Sequence, residues 1–331
     1  MRRFIPTLHH HKFSLVNREI MRKAVALDID GVILRGGKVI KGAHEAVKKL
    51  ITAHVPFIFV SNGGGVHEEH KADQLSSKLG LHIRKEQIIL CHTPFSSLAR
   101  KYGSNPVLIL GQESCLDVAR AYGFQSLYRP IDFYNNDPQV LPTRKTGSQG
   151  YQMIPPIELA LIFHDPEDWS LDMQVLSDVL VSHKSGEKPV QTVPLYGCNL
   201  DLVYNNEHRL PRFTQGAFID AFQSLFEKYH CIPLQITKYG KPYRIQYEFA
   251  ELMLRREAER MHGVMDKNTV YFGIGDNPMS DIKGANEAGT HWSSILVRTG
   301  LFQSSKDNDD AHPADHVCES VNDAIEYILK I

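Results

Sequence analysis

Two aspartates, Asp28 and Asp30, close the apolar run AVALDI and stand directly before Gly31. On a strand, residues i and i+2 share a face, so the two carboxylates fall side by side. Like charges at that spacing cost free energy unless a cation lies between them or one is protonated. Three more polar groups sit after an apolar run or at a helix start: Ser61-Asn62-Gly63-Gly64-Gly65, Tyr239-Gly240-Lys241-Pro242, and Gly275-Asp276-Asn277 followed by Asp281. Singly, each has a plain reading: a turn, a flexible loop, a helix start, a cap. Together they bring acids, a lysine and a Ser/Asn pair to the strand ends of one sheet, and that combination fits phosphoryl transfer. Oxygen donors from Asp28, Asp276 and the main-chain carbonyl of Asp30 suit Mg²⁺, with water and a substrate phosphate completing the shell. A carboxylate can attack phosphorus, and a second one, Asp30, can protonate the leaving oxygen and then activate water. The Ser61 hydroxyl and the amides after it can hold phosphate oxygens. Lys241 can offset charge on nucleophile and phosphate. Asp281, in the first turn of the next helix, is expected to orient Lys241 or a metal-bound water.

The elements that must position these groups alternate along the chain. Strands are expected at 24–29, 56–60, 88–92, 269–275 and 293–297, with helices at 43–54, 68–80, 243–261, 280–289 and 321–330. Such alternation implies an α/β fold, a mostly parallel sheet with helices on both faces. Ligand sites in such folds lie beyond the carboxyl ends of the strands, where the polar groups fall. Between the two halves, 107–111 with 112–123 and 158–164 with 171–183 and 190–197 read as a separate α/β module. The polar stretch 129–156, rich in Pro, Asn, Gly and Gln, reads as a long functional loop or a mobile segment.

With 331 residues, 42% hydrophobic and 23% charged, the chain can bury a sizeable core, and its net charge of −1 argues against bulk nucleic-acid binding. No apolar run is long enough to span a bilayer. The five cysteines are dispersed, without a C-x-x-C pair, and read as reduced thiols. The first residues are basic and nearly free of acids, which fits either a mitochondrial transit peptide or a short basic arm. His9, His10 and His11 read as part of that tail.

DIDGV, SNGGG, YGKP and GDNPMSDIKGANEAG, in this order, resemble the four motifs of the haloacid dehalogenase-like (HAD) hydrolase superfamily. The resemblance implies a HAD-like Rossmannoid core with Asp28 as nucleophile and Asp30 as general acid/base. It implies phosphate binding by Ser61, Asn62 and Gly63, charge neutralisation by Lys241, and Mg²⁺ held by Asp28, Asp30 and Asp276 with support from Asp281. Only one helix fits between Asp28 and Ser61, so a cap domain must follow the second motif, as in subfamily IIA with its C2-type α/β cap. FHDPEDWSLDMQVLSDVLVS and VPLYGCNLDLVYNNEHRLPRFTQGAF resemble the cat eye syndrome critical region protein 5-like branch, largely uncharacterised and mainly mitochondrial. In subfamily IIA an N-x-D-like cap segment faces the catalytic site. Here it is Asn199-Leu200-Asp201, with leucine where related phosphatases carry proline; its plain reading is a polar turn. Arg209 and Arg212, on the same cap edge, fit either an anionic substrate or surface salt bridges, and Trp169 is expected to pack under a cap helix.

The expected organisation is a basic arm at 1–23, a catalytic core at 24–104 and 210–331, and an inserted cap at 105–209. The expected activity is Mg²⁺-dependent hydrolysis of a small phosphate monoester through an aspartyl-phosphate on Asp28. The alternative is a HAD-fold binding or assembly protein in mitochondria with weak or no catalysis. A dinucleotide-binding reading is disfavoured, because no G-x-G-x-x-G follows the first strand. The substrate is expected to be a small phosphorylated metabolite or a lipid head-group phosphate. The sequence leaves open a homodimer and a cytoplasmic rather than mitochondrial location.

Overall fold

The computed structural model describes residues 19–144, 153–182, 188–204, 208–303 and 307–331. The basic arm up to residue 18, with His9–His11, and residues 145–152 of the polar stretch lie outside the described residues. In chain order the main elements are β1 (Glu19–Leu27), α1 (Ala43–Thr52), β2 (Phe57–Val60), α2 (Glu68–Leu79) and β3 (Ile88–Ile89). Next come β4 (Pro106–Leu110), α3 (Ser114–Tyr122), β5 (Ser126–Tyr128), α4 (Pro130–Asn136), β6 (Leu159–Ile162) and α5 (Trp169–Leu180). β7 (Leu195–Cys198), β8 (Val203–Tyr204), β9 (Arg212–Phe213), α6 (Gln215–His230) and β10 (Ile236–Tyr239) follow. The chain ends with α7 (Arg244–Arg260), β11 (Gly263–Gly275), α8 (Lys283–Ala288), β12 (Trp292–Val297), β13 (His316–Cys318) and α9 (Val321–Lys330).

Two parallel sheets result. The core sheet has the order β13-β12-β11-β1-β2-β3. Strand alternation divides its side chains. Val25, Leu27, Phe57 and Phe59 pack on one face against α1, α2 and α9, and Ala24, Ala26, Ile58 and Val60 pack on the other against α7. Both faces are therefore covered, as a parallel sheet requires. The second sheet has the order β10-β7-β6-β4-β5. Its Leu108, Leu110, Ala160 and Ile162 meet α5 and α6, while Val107, Ile109, Leu159 and Leu161 meet α3 together with Cys91 and Phe95 from the core. Phe95 sits edge-on to Phe163 (5.0 Å) and Tyr239 (5.2 Å), which ties the two units together. Among the described residues, no helix is long and apolar enough to cross a membrane.

The inserted unit is larger than expected. It runs on past residue 209 to Tyr239, because α6 buries Phe218, Ile219, Phe222 and Phe226 in the cap core and β10 is an edge strand of the cap sheet. β1 begins at Glu19, inside the expected arm, with Glu19–Met21 paired to Gly263–Met265. The stretch expected as loop from 129 holds α4, started by Pro130 and by the Asp132 carboxylate accepting the Arg129 N–H at 2.7 Å. The strand expected at 190–197 is split: Val190 and Gln191 pair antiparallel with Val181 and Ser182, and only Leu195–Cys198 joins the sheet.

Candidate active site

The carboxyl ends of both parallel sheets meet at one place. Asp28 follows β1, Ser61 follows β2, Asp276 follows β11, and Lys241 comes two residues after the cap strand β10. All four side chains are buried. The Lys241 ammonium lies 2.5 Å from Asp28 Oδ1, 2.6 Å from Asp281 Oδ1 and 3.0 Å from the Val60 carbonyl. Carboxylate oxygens of Asp28, Asp276 and Asp281 all lie within 4.8 Å of one another.

Local sequence explains this density. Gly31, at φ +92°, makes the sharp turn after Asp30, and a Cβ there would lie 2.2 Å from Asp276 Oδ2. A Cβ on Gly300 would lie 1.8 Å from the same oxygen. Asp276 thus occupies a slot between two residues without side chains, where Oδ2 accepts the Leu301 N–H at 2.5 Å. Asp281 sits in the turn Pro278–Ile282. Its Oδ2 accepts the Asn277 N–H at 3.1 Å and its carbonyl accepts the Tyr247 hydroxyl at 2.9 Å.

Three buried carboxylates around one ammonium leave the cluster short of positive charge. Burial pushes the Asp28 carboxyl well above its ordinary range; Lys241 pulls the other way, and Asp281, Asp276 and Asp30 add to the push. Asp276 is pushed up to about 7, by burial and then by Asp281. Burial works against the Lys241 ammonium, but Asp28 and Asp281 more than reverse this and hold it well above the usual lysine range. The donor set fits a hard divalent cation, which would relieve the repulsion. Asp28 Oδ2 is clear of hydrogen bonds among the described residues, and Asp276 retains Oδ1 outside the Leu301 bond. Both oxygens of Asp281 are already engaged, by Lys241 and Asn277, which suits it to holding the lysine.

The glycine loop supplies the facing side. Ser61 Oγ accepts the Gly63 N–H at 3.0 Å. The Asn62 carboxamide accepts the Lys241 N–H at 2.8 Å and donates to the Lys241 carbonyl at 3.0 Å and to Asp201 Oδ2 at 3.2 Å. Its amide therefore has no donor left for a phosphate, and only its main-chain N–H remains for that task. Asp201 is brought to the core by this bond, and burial raises its carboxyl. Asn199, at φ +55°, points its Oδ1 back to the Asp201 N–H at 3.1 Å. Asp30 is not part of the buried cluster; its side chain is exposed. Trp169 packs edge-on against Phe218 at 5.5 Å.

A family model described as haloacid dehalogenase-like hydrolase matches residues 25–125, and a second, HAD-hydrolase-like, matches residues 238–324. Mitochondrial hydrolase YKR070W of Saccharomyces cerevisiae is 34% identical over 93% of this chain and 94% of its own length. The chain belongs to the haloacid dehalogenase-like hydrolase family. A second relative, the cardiolipin synthase (CMP-forming)/mitochondrial hydrolase fusion protein of Schizosaccharomyces pombe, is 34% identical over 91% of this chain, which spans 52% of that protein. Among solved structures, the glycerol phosphate phosphatase Rv1692 of Mycobacterium tuberculosis in complex with magnesium shares the HAD fold, at TM-score 0.62 and 18% identity over 91% of this chain and 75% of that one.

The HAD motifs accordingly converge in space: Asp28, Lys241, Asp276 and Asp281 form the cluster, Asn62 and Asp201 are bonded onto it through the Lys241 main chain, and Ser61 follows Val60, whose carbonyl meets the lysine. Sequence reasoning missed the Gly300–Leu301 amide and Tyr247. Gly300 lies just after β12 in Arg298-Thr299-Gly300, so the rule that found the other strand ends could have found it. Tyr247 is one turn into α7, with no local mark of its contact with Asp281.

Proposed function

We propose that this HAD-like hydrolase is a Mg²⁺-dependent phosphatase that acts on a small phosphate monoester through a phosphoryl group carried on Asp28. The observation that carries this reading is the buried Asp28–Lys241–Asp281 arrangement, with Asp276 in its glycine slot, facing the Ser61 loop. Mg²⁺ held by Asp28 and Asp276, with the Asp30 carbonyl, would supply positive charge to the transferring phosphate. Asp28 attacks phosphorus, and the bond to the leaving oxygen breaks. Asp30, in contact with solvent, gives that oxygen a proton. It then takes a proton from the water that attacks the phosphoryl group, which returns Asp28 as a carboxylate and releases inorganic phosphate. Lys241 remains an ammonium throughout and offsets charge on Asp28 and the phosphate. Ser61 and the N–H groups of Asn62 and Gly63 hold phosphate oxygens, with the Gly63 N–H exchanging its present bond to Ser61 Oγ for the ligand. Asn199 and Asp201 present the cap to the leaving group. The names of both yeast relatives support a mitochondrial location, which cell fractionation finding the chain only in cytosol would refute.

The test is a panel of phosphate esters, p-nitrophenyl phosphate included, with Mg²⁺ or EDTA and with Asp28→Asn as the matched control. Hydrolysis should require Mg²⁺ and fall at least about a thousand-fold in the variant, as losing a nucleophile does. Full activity in EDTA, or in Asp28→Asn, overturns the reading.

A further inference from the structure

The glycine loop Ser61–Gly65 is bonded to the inserted unit beyond the Asn62–Asp201 contact. Tyr122, the last residue of the cap helix α3, donates its hydroxyl to Glu68 Oε1, where α2 begins. Ser114, the first residue of the same helix, donates its hydroxyl to the Gly65 carbonyl at 2.8 Å. The two side chains stand about 12 Å apart along α3, at 1.5 Å per residue. One helix of the cap thus grips both ends of the segment 65–68, through which the loop enters α2. The core adds to the grip. The Thr93 hydroxyl donates to Glu68 Oε1 at 2.6 Å, and His92 Nδ1 lies 2.9 Å from the Tyr122 hydroxyl. The Cys91 N–H holds the Gly63 carbonyl at 3.3 Å. His92 is fully buried, and burial pushes its imidazole down to about 4, so it packs as a neutral ring. A Cβ on Gly64 would lie 2.9 Å from His92 Cδ2, and one on Gly65, at φ +76°, 2.8 Å from Cδ2 of the cap residue His164. Gly65 is buried under these contacts while Gly63 is exposed. The loop is therefore fixed at its far end and open at the end that follows Ser61.

We propose that Ser114 and Tyr122 are positioning residues for the phosphate: from the cap, they hold the glycine loop in the shape that receives phosphate oxygens. The role rests on the catalytic reading of the Ser61 loop and extends it. Neither side chain is among the phosphate ligands of that reading; Ser114 acts through Gly65 and Tyr122 through Glu68. Bonds that merely fastened the cap to the core would be felt in stability alone. The loop, by contrast, meets the phosphate common to every ester, in the ground state and the transition state alike. A slackened loop therefore raises KM while kcat is retained.

The experiment is steady-state hydrolysis of p-nitrophenyl phosphate and of a second ester that the parent turns over, with inorganic phosphate as competing product. Hydrogen exchange over 61–68 accompanies it. Tyr122→Phe removes only the hydroxyl and keeps the ring stacked on Phe163 at 6.2 Å. It and Ser114→Ala should each raise KM for both esters, and the inhibition constant of phosphate, by about fivefold, roughly the worth of one hydrogen bond. Amide exchange in the loop should quicken in both. Ser114→Thr, which keeps the hydroxyl, should restore the parent's values. Melting temperature identifies a variant that fails to fold; if Tyr122→Phe does, Ser114→Ala against Ser114→Thr decides. Folded variants with the parent's KM, phosphate inhibition and loop exchange overturn the proposal. So does a lowered melting temperature with KM unchanged, or a rise in KM confined to one ester. A parent that hydrolyses no ester overturns the catalytic reading instead. Loop exchange equal in parent and variants would then still refute the grip of α3.

Discussion

Replacing Gly300 by alanine places the new methyl 1.8 Å from Asp276 Oδ2 and 2.4 Å from its Cγ. Non-bonded contacts need roughly 3.5 Å, so the carboxylate must retreat by roughly 1.7 Å. Gly31 leaves room on the other side only for its own missing Cβ, and the retreat breaks the charge-assisted Leu301 N–H bond, worth about 1.5–3 kcal/mol. Displacing a catalytic group by about 1 Å costs on the order of a hundred-fold in rate. Weakening a metal ligand's support costs about 10–100-fold in metal affinity. Gly300→Ala should therefore raise the Mg²⁺ concentration for half-maximal hydrolysis by at least about tenfold. It should also lower kcat/KM by about a hundred-fold. The fold should survive, since overpacking costs about 1–3 kcal/mol. The assay is p-nitrophenyl phosphate turnover against MgCl₂, with circular dichroism in EDTA. A folded variant whose Mg²⁺ requirement and kcat/KM match the parent would refute the argument that this slot positions Asp276.

Asn62→Ala strips partners from the Lys241 N–H and carbonyl, at about 1–3 kcal/mol for each buried group left unmatched. Its melting temperature and kcat should fall together, and a variant unchanged in both would show that Lys241 is held by its ammonium contacts alone. Asp172, on α5, is pushed from 3.8 up to about 7 by burial, with the Asp168 N–H opposing. The folded state thus holds that proton more tightly, and the stability it contributes below about pH 4 is lost as pH rises to about 7. Asp172→Asn keeps an acceptor for the Asp168 N–H, so it should match the parent near pH 4 and exceed it by up to about 4 kcal/mol above pH 7. Chemical denaturation across that range checks this, and a gap that shrinks with rising pH would contradict it.

The strand ends of the candidate site could be read from the chain because each is a short apolar run followed at once by acids, a hydroxyl or glycine, a purely local pattern. α6 was readable in the same way: Phe218, Phe222 and Phe226 recur every four residues. Placing a boundary at 209 passed over that stripe, and with it the assignment of β10. α4 hid in a polar stretch, although Pro130 and Asp132 are start signals. What could not be read is partner choice. The Asn62 amide closes on a residue 179 positions away, and nothing near Asn62 distinguishes that use from binding phosphate. The Gly300 methylene matters only because Asp276 arrives beside it from another strand.

Lys241 hangs from the last strand of the inserted unit, yet its ammonium is buried among carboxylates of the other. A minimal enzyme made by cutting out 105–239 and splicing the ends would keep Asp28, Ser61, Lys241, Asp276 and Asp281 but lose the edge strand that delivers the lysine. Modular transplantation of this insert among relatives faces the same limit: the graft must bring its own exit strand, in register with β7, or the host loses its cation. On the proposed mechanism the insert is thus a structural part of the catalytic centre, and its removal should disable chemistry before it alters selectivity.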